Sequence, residues 1–305
     1  MRTRAYRHSL NGSTMPPGQP LLQVSDLSLR FGGVRALSDV SFTVTSGTIH
    51  AVIGPNGAGK SSLLNCVSGL YKPTEGEIAL RYVVGETGRH LGEHSPEERE
   101  RRASTDQPHE YADRTLTRLA PNKVARLGVA RSFQNIELFE HLTVLENMML
   151  GRHIHMRQNV FSAMLWLGPA RWQEIEHREI VEEIIDLLQL QAYRKKPVGT
   201  LAYGIQKRVE LGRALALQPA LLLLDEPMAG MNAEEKEDMA RYILDVHELA
   251  GVSMVLIEHD MNVVMDISNR VTVLDFGRVI ADGTPAEVMA DPQVIEAYLG
   301  TEAVR

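Results

Sequence analysis

The sequence predicts an α/β fold with a parallel sheet. Three short apolar runs, at residues 221–224, 255–257 and 271–274, are separated by helical stretches, and this alternation is typical of parallel strands covered by helices. A fourth run, Ile49–Ile53, precedes a glycine-rich loop and a helix predicted over residues 60–69. Together these observations indicate a strand, loop and helix unit within such a sheet.

The remaining elements follow from their periodicity. Residues 22–30 alternate apolar and polar side chains, with one slip near Ser25, and residues 41–44 continue the alternation, so the chain is predicted to open with antiparallel strands. Residues 172–190 place apolar side chains on one helical stripe with carboxylates opposite. This pattern predicts a long amphipathic helix.

Composition limits the classes of protein to which the chain can belong. Its 305 residues include 32 Lys or Arg and 39 Asp or Glu, a formal net charge of −7, so a strongly basic face for duplex DNA is not expected. The longest apolar stretches fall far short of the roughly 20 residues that span a bilayer. A single cysteine, Cys66, excludes an internal disulfide and fits a reducing compartment. We therefore expect a cytosolic protein without a nucleic-acid partner.

Three segments are expected to lie outside the packed domain, which we place at residues 21–300. Residues 1–20 combine three arginines with a polar Gly- and Pro-rich mixture, and this predicts a disordered tail without the apolar region of a secretory signal. Residues 301–305 form the second tail. Residues 86–118 carry 14 charged residues in 33, against 23% for the whole chain, which predicts a solvated insertion. Its alternating signs also allow a short exposed helix or a docking surface.

A phosphate-binding loop is predicted at residues 54–61, because their sequence GPNGAGKS matches G-x-x-x-x-G-K-[ST] in full. Its glycines let backbone N–H groups turn toward phosphate oxygens, and the following helix directs its positive end there. Lys60 is expected to reach the β- and γ-phosphates, and the Ser61 hydroxyl to bind Mg²⁺. The alternative, a glycine-rich turn without a ligand, is disfavoured by the flanking strand and helix.

Two adjacent carboxylates, Asp225 and Glu226, end the apolar strand that begins at Leu221. A buried strand rarely delivers two neighbouring charges to its tip unless a cation or a reacting water lies there. We therefore expect Asp225 to hold Mg²⁺, directly or through water, and Glu226 to polarise the attacking water. The alternative is a solvated strand end followed by a proline turn, which the phosphate loop disfavours.

Further short motifs complete a set that resembles the ATPase subunits of ABC transporters: FQN at 133–135, LAYG at 201–204 and EHD at 258–260. More narrowly, the chain resembles the branched-chain, or hydrophobic, amino-acid uptake branch of that family. This narrower likeness rests on RFGG at 30–33, ARSFQN at 130–135, AGMN at 229–232 and EAYLG at 296–300. The resemblance runs from about residue 22 to residue 300 and skips the charged insertion.

The resemblance implies a P-loop NTPase fold of ABC type. In this fold a RecA-like core with a parallel sheet carries an antiparallel β subdomain and a helical subdomain, here at about residues 136–205. The resemblance also implies ATP and Mg²⁺ as cofactors. Family members form head-to-tail dimers, in which each ATP lies between the phosphate loop of one chain and the signature segment of the other.

The resemblance assigns roles to individual positions. Phe31 matches the aromatic residue that stacks on adenine, Gln134 the glutamine that reaches Mg²⁺ and senses the membrane partner, and His259 the switch histidine at the γ-phosphate. Residues 230–232 match the loop that crosses to the opposite subunit. The expected catalytic residues are Glu226, His259 and Lys60, and the expected metal ligands are Ser61, Gln134 and Asp225. The expected nucleotide-binding residues are Phe31, Gly54, Pro55, Asn56, Gly57, Ala58, Gly59, Lys60, Ser61, Ser62, Gln134 and Gly204.

The signature segment departs from the family pattern Leu-Ser-x-Gly-Gln. Ala202 replaces the serine hydroxyl and Ile205 the glutamine amide, whereas Gly204 and the following helix, expected at residues 206–217, are retained. A lost hydrogen bond to a charged phosphate costs about 1.5 to 3 kcal/mol, roughly ten- to a hundredfold in affinity or rate. We therefore expect a weak composite site on this signature, a competent site on this phosphate loop, and a heterodimer with a different ATPase chain.

Three functions are compatible with these motifs. The first is the ATPase of a branched-chain amino-acid importer at the cytoplasmic face of the membrane. Its partners are a second ATPase subunit, two permeases and, indirectly, a substrate-binding protein, and another small amide or carboxylate is the alternative cargo. The second is a soluble ABC ATPase acting on nucleic acid or ribosomes, but the sequence has no coiled coil, zinc module or second ATPase domain. The third is a regulatory partner that barely hydrolyses ATP, which Glu226 and His259 disfavour.

Three weaker features each have a purely structural interpretation beside a functional one. His153 and His155 form an H-x-H pair, but no further ligand stands at metal-binding spacing nearby, so ordinary surface histidines are expected. Residues 160–167 are apolar enough to pack on a membrane subunit, and subdomain core is the equal alternative. Cys66 is expected to be a small packing residue rather than a redox sensor.

Overall fold

Two β-sheets form the framework of the computed structural model, which describes residues 15–83, 111–132, 137–152 and 169–302. One sheet has four strands and the other has six. In chain order the strands are β1 (Pro20–Phe31), β2 (Val34–Thr45), β3 (Ile49–Ile53), β4 (Glu75–Val83), β5 (Tyr111–Thr115), β6 (Val129–Ser132), β7 (Leu221–Asp225), β8 (Ser253–Ile257), β9 (Arg270–Asp275) and β10 (Arg278–Gly283).

Helices cover both faces of the six-stranded sheet. In chain order they are α1 (Lys60–Val67), α2 (Pro121–Arg126), α3 (Val144–Gly151), α4 (Pro169–Leu187), α5 (Tyr203–Leu215), α6 (Ala233–Ala250), α7 (Met261–Ile267), α8 (Pro285–Ala290) and α9 (Pro292–Glu302). Short 3-10 turns at Gln191–Tyr193 and Val198–Thr200 connect α4 to α5. Among the described residues, no helix is long and apolar enough to cross a membrane.

The six-stranded sheet confirms the predicted parallel core. Its order is β10-β9-β3-β8-β7-β6, and only the edge pair of β10 with β9 is antiparallel. Side chains of β7 alternate between two cores because the period of a strand is two. Leu222 and Leu224 pack with α3 to α6, whereas Leu221 and Leu223 pack with α1 and the four-stranded sheet. The sheet is thus buried on both faces, as its apolar runs predict.

The four-stranded sheet has the order β2-β1-β4-β5 and is antiparallel throughout. The slip in hydrophobic alternation near Ser25 coincides with a register shift between Val24 and Leu27 of β1. Asp26 has φ 48° at this point, and a bulge of this kind restores the inward direction of the apolar side chains that follow. The sequence irregularity therefore marks a real bulge.

The predicted disordered tail is wrong for residues 15–20. Met15 is buried, and its carbonyl oxygen accepts a hydrogen bond from the Ser46 hydroxyl at 3.1 Å. The backbone N–H of Gly18 donates to the carbonyl of Ser46, and Pro20 already belongs to β1. Backbone pairing at the end of β2 therefore orders a segment whose composition suggested otherwise. Residues 1–14 lie outside the described range.

The predicted insertion at residues 86–118 is wrong at its carboxyl end. Residues 111–115 form β5, which pairs with β4, and Leu116 is fully buried. On β5 the carboxylate of Asp113 accepts two hydrogen bonds from the Arg81 guanidinium of β4, at 2.7 and 2.9 Å. Cross-strand ion pairing and backbone hydrogen bonds thus make a strand of a charged segment. Residues 84–110 are outside the part of the chain that is described.

The helices near the predicted subdomain share one apolar core. The helix predicted at 172–190 runs over Pro169–Leu187 instead, and Gln189, with φ 52°, breaks its helical geometry at the carboxyl end. The buried Arg152 guanidinium, just after α3, donates to the carbonyl of Ala216 at 2.8 Å and to His177 Nδ1 of α4. These bonds join three helices through one side chain. The His153/His155 pair and residues 160–167 lie outside the described residues.

Candidate functional site

The predicted phosphate loop follows β3, which lies between β8 and β9 in the sheet. Gly54 and Gly59 both have positive φ, 147° and 101°. A Cβ at Gly54 would lie 2.0 Å from the carbonyl oxygen of Leu274, and one at Gly59 would lie 2.7 Å from that of Ala36. Only glycine therefore fits at the two ends of this turn. The turn leads directly into α1 at Lys60.

The Lys60 ammonium folds back over this loop. Nζ donates hydrogen bonds to the carbonyl oxygens of Gly54 at 2.7 Å and Pro55 at 2.9 Å. Burial lowers the pKa of Lys60, while the nearby carboxylates of Glu226 and Asp225 act in the opposite direction. A cation is thus held at the centre of the loop. Asn56, Gly57 and Ser61 are exposed, so this side of the loop is open to a ligand, whereas Ala58 is buried and Ser62 half-buried.

Asp225 ends β7 at the same edge of the sheet. Its Oδ2 accepts a hydrogen bond from the Arg131 guanidinium at 2.7 Å, and Arg131 also donates to Asn65 Oδ1 of α1 at 2.6 Å. The second carboxylate oxygen, Oδ1, is buried and has no hydrogen-bond partner within the described ranges. A buried carboxylate oxygen without a donor suits a hard cation. The donor set of Asp225 and Ser61 therefore fits Mg²⁺.

Glu226 and His259 lie close together just beyond the strand tips. Glu226 Oε1 is 3.6 Å from His259 Nδ1, a distance that permits an ion pair when the imidazole is protonated. Glu226 has φ 49°, and its backbone N–H donates to the carbonyl of Ile257 at the end of β8. A non-glycine residue in this conformation is strained and must be fixed by its surroundings. The structure thus aims a carboxylate and an imidazole at one region.

Glu258 supports the turn that carries Glu226. Its buried carboxylate accepts hydrogen bonds from the backbone N–H of Met228 at 2.8 Å and of His259 at 3.2 Å. Burial raises the pKa of Glu258, while these two donors lower it. The first residue of the EHD motif is therefore a buried brace rather than a ligand-facing group. This role has no local signal in the sequence.

Phe31 is half-exposed at the end of β1, where a planar ligand can reach it. Its ring lies 5.2 Å from that of Tyr71, at an angle of 78°. Edge-to-face geometry of this kind is favourable for aromatic pairs, so the contact with Tyr71 favours this orientation of Phe31. This pair has no local signal in the sequence, because Tyr71 lies 40 positions further along, after α1.

The signature segment lies at the start of α5, which begins at Tyr203 rather than at the predicted Gln206. Ala202 occupies the N-cap position without a side-chain hydrogen bond to the helix. Ile205 is half-buried and packs against the core of helices α3 to α6, which explains its apolar character. Gly204 approaches Glu235 of α6, since a Cβ there would lie 2.9 Å from Glu235 Oε1.

The structure therefore brings most of the predicted site together at the carboxyl edge of the parallel sheet. The phosphate loop with Lys60, the tip of β7 with Asp225 and Glu226, and His259 meet there. Gly204 lies at a different place, against the start of α6. Gln134 falls outside the described residues. Arg131, Tyr71 and Glu258 are the supporting residues that sequence analysis missed, and each acts through a partner distant in sequence or through the backbone.

Comparison with known proteins gives two family matches. The model described as "ABC transporter" matches residues 37–229, and the model described as "Branched-chain amino acid ATP-binding cassette transporter" matches residues 278–304. Among curated proteins, the chain is 38% identical over 283 residues to the high-affinity branched-chain amino acid transport ATP-binding protein BraF of Pseudomonas aeruginosa, covering 92% of this chain and 98% of BraF.

A second relative and a solved structure agree with these matches. The chain is 35% identical over 282 residues to the high-affinity branched-chain amino acid transport ATP-binding protein LivG of Escherichia coli strain K12, covering 92% of this chain and 98% of LivG. The ADP conformation of MJ1267, an ATP-binding cassette of an ABC transporter, is similar with a TM-score of 0.70 and 26% identity, covering 92% of this chain and 99% of that one.

Proposed function

Because the chain belongs to the ABC transporter family of ATP-binding proteins, we propose that it is the ATP-hydrolysing subunit of an importer for branched-chain amino acids. The family and its P-loop fold are those predicted from the motifs. The meeting of Lys60, Asp225 and Glu226 at one edge of the sheet is the observation that carries the ATPase proposal. Relatives named as branched-chain amino acid transport proteins support the cargo.

In this proposal the loop after β3 receives the phosphates of ATP. Backbone N–H groups and the positive end of α1 attract the anion, and Lys60 exchanges the carbonyls of Gly54 and Pro55 for the β- and γ-phosphate oxygens. The adenine stacks on Phe31, which Tyr71 keeps in place. The Lys60 Nζ thus already lies over the loop that receives the phosphates.

Asp225 and Ser61 are the residues proposed to hold Mg²⁺, together with Gln134. The orphan Oδ1 of Asp225 supports this assignment, because Arg131 occupies the other oxygen. When bound, Mg²⁺ would neutralise negative charge that develops on the phosphate oxygens. Arg131 therefore leaves one carboxylate oxygen available for the cation.

Glu226 is the proposed base for hydrolysis. It accepts a proton as the water oxygen bonds to the γ-phosphorus and the bond to the β–γ bridging oxygen breaks. His259, whose Nδ1 lies 3.6 Å from Glu226 Oε1, is the residue proposed to contact the γ-phosphate and report its presence. The backbone conformation of Glu226, with φ 49°, sets the direction in which its side chain leaves the turn.

We further propose that the chain works in an asymmetric assembly at the cytoplasmic face of the membrane. Its partners are a second, different ATPase subunit and two permeases, with a substrate-binding protein as an indirect partner. Gly204 and the start of α5 would face the ATP on the partner's phosphate loop. The apolar Ala202 and Ile205 support asymmetry, because neither offers a polar group to phosphate.

Substitution of the proposed base tests the ATPase. In the assembled complex, Glu226→Gln is expected to abolish turnover while ATP binding, measured with a fluorescent nucleotide, stays within about twofold of wild type. Glu234→Gln, on the exposed first turn of α6, is the matched control and is expected to keep full turnover. Retained turnover in Glu226→Gln would exclude Glu226 as the base.

Co-purification from native membranes tests the assembly and the cargo. The tagged chain, extracted in mild detergent, is expected to bring two permeases and a second ATPase, identified by mass spectrometry. Proteoliposomes of that complex, given ATP at the ATPase face and the co-purified binding protein, are expected to move radiolabelled leucine but not acetamide or acetate. Transport of the amide or carboxylate instead would reassign the cargo, and recovery of the chain alone would contradict the transport proposal.

A further inference from the structure

We propose that Tyr203 is a positioning residue, which ties the signature segment of this chain to the turn that carries Glu226. The inference rests on the proposed function, since it concerns the same ATPase site. It assigns to the signature segment a second task besides facing the partner's nucleotide. That task is to set the direction of the carboxylate in the chain's own site.

A hydrogen bond makes the first link. The Tyr203 hydroxyl, on the first residue of α5, donates to the carbonyl oxygen of Ala229 at 3.0 Å. The backbone N–H of Ala229 in turn donates to the carbonyl oxygen of Glu226 at 3.2 Å. Ala229 is therefore bound on one side to the signature segment and on the other to the residue that carries the proposed base.

Packing makes the second link. A Cβ at Gly230 would lie only 3.4 Å from the Tyr203 ring, so the ring rests directly on the backbone beyond Ala229. Gly204 lies against Glu235, which forms a capping box with Asn232 at the start of α6. The start of α5 thus touches the turn after β7 at several points. A displacement of one moves the other.

The turn is sensitive to such a displacement. Glu226 has φ 49°, a conformation that persists only while its neighbours enforce it. Glu258 fixes the turn from below through the Met228 N–H, and Tyr203 fixes it from the α5 side through Ala229. Loss of the tyrosine hydroxyl removes one of these two anchors while the other persists.

Because Tyr203 is exposed, its positioning role can be tested without loss of fold stability. Tyr203 is 41% exposed, so in a phenylalanine variant water can hydrate the Ala229 carbonyl and no polar group is left buried. Retention of the ring also retains the contact with Gly230. The variant is therefore expected to fold normally and to change only the placement of Glu226.

The test compares Tyr203→Phe with wild type in the assembled complex purified from membranes. We expect kcat for ATP hydrolysis to fall about two- to tenfold, while KM for ATP and the thermal midpoint stay unchanged. Tyr193→Phe, in the 3-10 turn Gln191–Tyr193, is the matched control and should leave kcat unchanged. An unchanged kcat in Tyr203→Phe would overturn the proposal, as would a fall in the thermal midpoint that accounts for the lost rate.

A double-mutant cycle tests whether Tyr203 acts on kcat through Glu226. If Tyr203 acts through Glu226, then Tyr203→Phe should lower kcat less in a Glu226→Asp background, where the carboxylate is already misplaced, than in wild type. An equal factor in both backgrounds would show that Tyr203 does not act through Glu226, and this would overturn the proposal. A wild-type complex without ATPase activity would instead contradict the proposed function itself, and this inference with it.

Discussion

The guanidinium of Arg131 donates to Oδ2 of Asp225 at 2.7 Å, and both side chains are almost fully buried. Arg131 lies on β6 and Asp225 on the neighbouring strand β7, one residue before the proposed base. The pair joins two strand tips, and through Asn65 it also reaches the helix that follows the phosphate loop. The Arg131 guanidinium thus links two parts of the site that are far apart in sequence.

Removal of the Arg131 guanidinium should destabilise the folded protein. Arg131→Met leaves the Asp225 carboxylate buried without its partner, and we expect the free energy of unfolding, measured by urea denaturation, to fall by about 3 to 5 kcal/mol. Arg81→Met breaks an exposed pair with Asp113 and should cost at most about 1 kcal/mol. Equal losses in the two variants would show that burial of the Arg131 pair has no energetic consequence.

Restoration of the signature should raise turnover. Ala202→Ser with Ile205→Gln restores a hydroxyl and an amide at the two positions where the family pattern has them, and we expect the assembled complex to hydrolyse ATP about ten- to a hundredfold faster at that composite site. Ile205→Leu keeps the packing of Ile205 in its core and should leave the rate unchanged. An unaltered rate in the double variant would show that asymmetry of the signature does not limit turnover.

The aromatic pair should contribute to nucleotide affinity in two steps. Phe31→Ala removes the stacking surface, worth about 1 to 3 kcal/mol per base, and should weaken binding of a fluorescent ATP analogue about five- to a hundredfold. Tyr71→Leu keeps Phe31 but frees its ring, and about two- to tenfold is expected. Tyr111→Leu, on the edge strand β5, serves as the control. Normal affinity of Tyr71→Leu for the ATP analogue would show that Phe31 keeps its orientation without Tyr71.

Acid should destabilise the fold through His50. Burial lowers its pKa from 6.5 to about 4, with Asp282 raising and Arg270 lowering it, so between these pH values the unfolded chain binds a proton that the folded chain does not. The stabilisation is complete above pH 6.5 and is lost as the pH falls toward 4, by about 3 kcal/mol. His50→Gln should flatten the fall in unfolding free energy over this range relative to wild type. Parallel curves for His50→Gln and wild type would contradict this origin.

Cys66 should be inert in the folded protein. The thiol is fully buried in α1, and burial raises its pKa to about 12, so almost no thiolate forms at pH 8. We expect iodoacetamide to alkylate Cys66 slowly under native conditions and at the ordinary rate in 6 M guanidinium, as followed by mass spectrometry. Equal rates would show that the helix opens readily.

Local sequence pattern was sufficient wherever the structure depends on local contacts. The phosphate loop, the acidic tip of β7 and the bulge near Ser25 each show themselves within about ten residues, because strand periodicity and glycine spacing are local properties. The family resemblance then supplied Phe31 and His259, which have no local signal of their own.

Pattern failed where structure depends on pairing between distant segments. The strand β5 has exposed side chains on both faces, so its sequence shows no hydrophobic alternation that would predict a strand. Its pairing with β4 makes it a strand. Arg131 and Tyr203 are equally silent, because their partners Asp225 and Ala229 lie 94 and 26 positions away. A contact that closes only after folding leaves no periodic trace in a single sequence.

The pairing of Val83 with Tyr111 has a consequence for protein engineering. The chain leaves β4 and returns on β5 at directly opposed residues, on the outer edge of the four-stranded sheet, whereas the residues proposed for catalysis gather at the carboxyl edge of the other sheet. A two-residue Asn-Gly turn is the natural connection for such a pair, and a small folded domain with adjacent termini is another. A fluorescent reporter grafted between these residues would move with the ATPase domain without entering its proposed catalytic site.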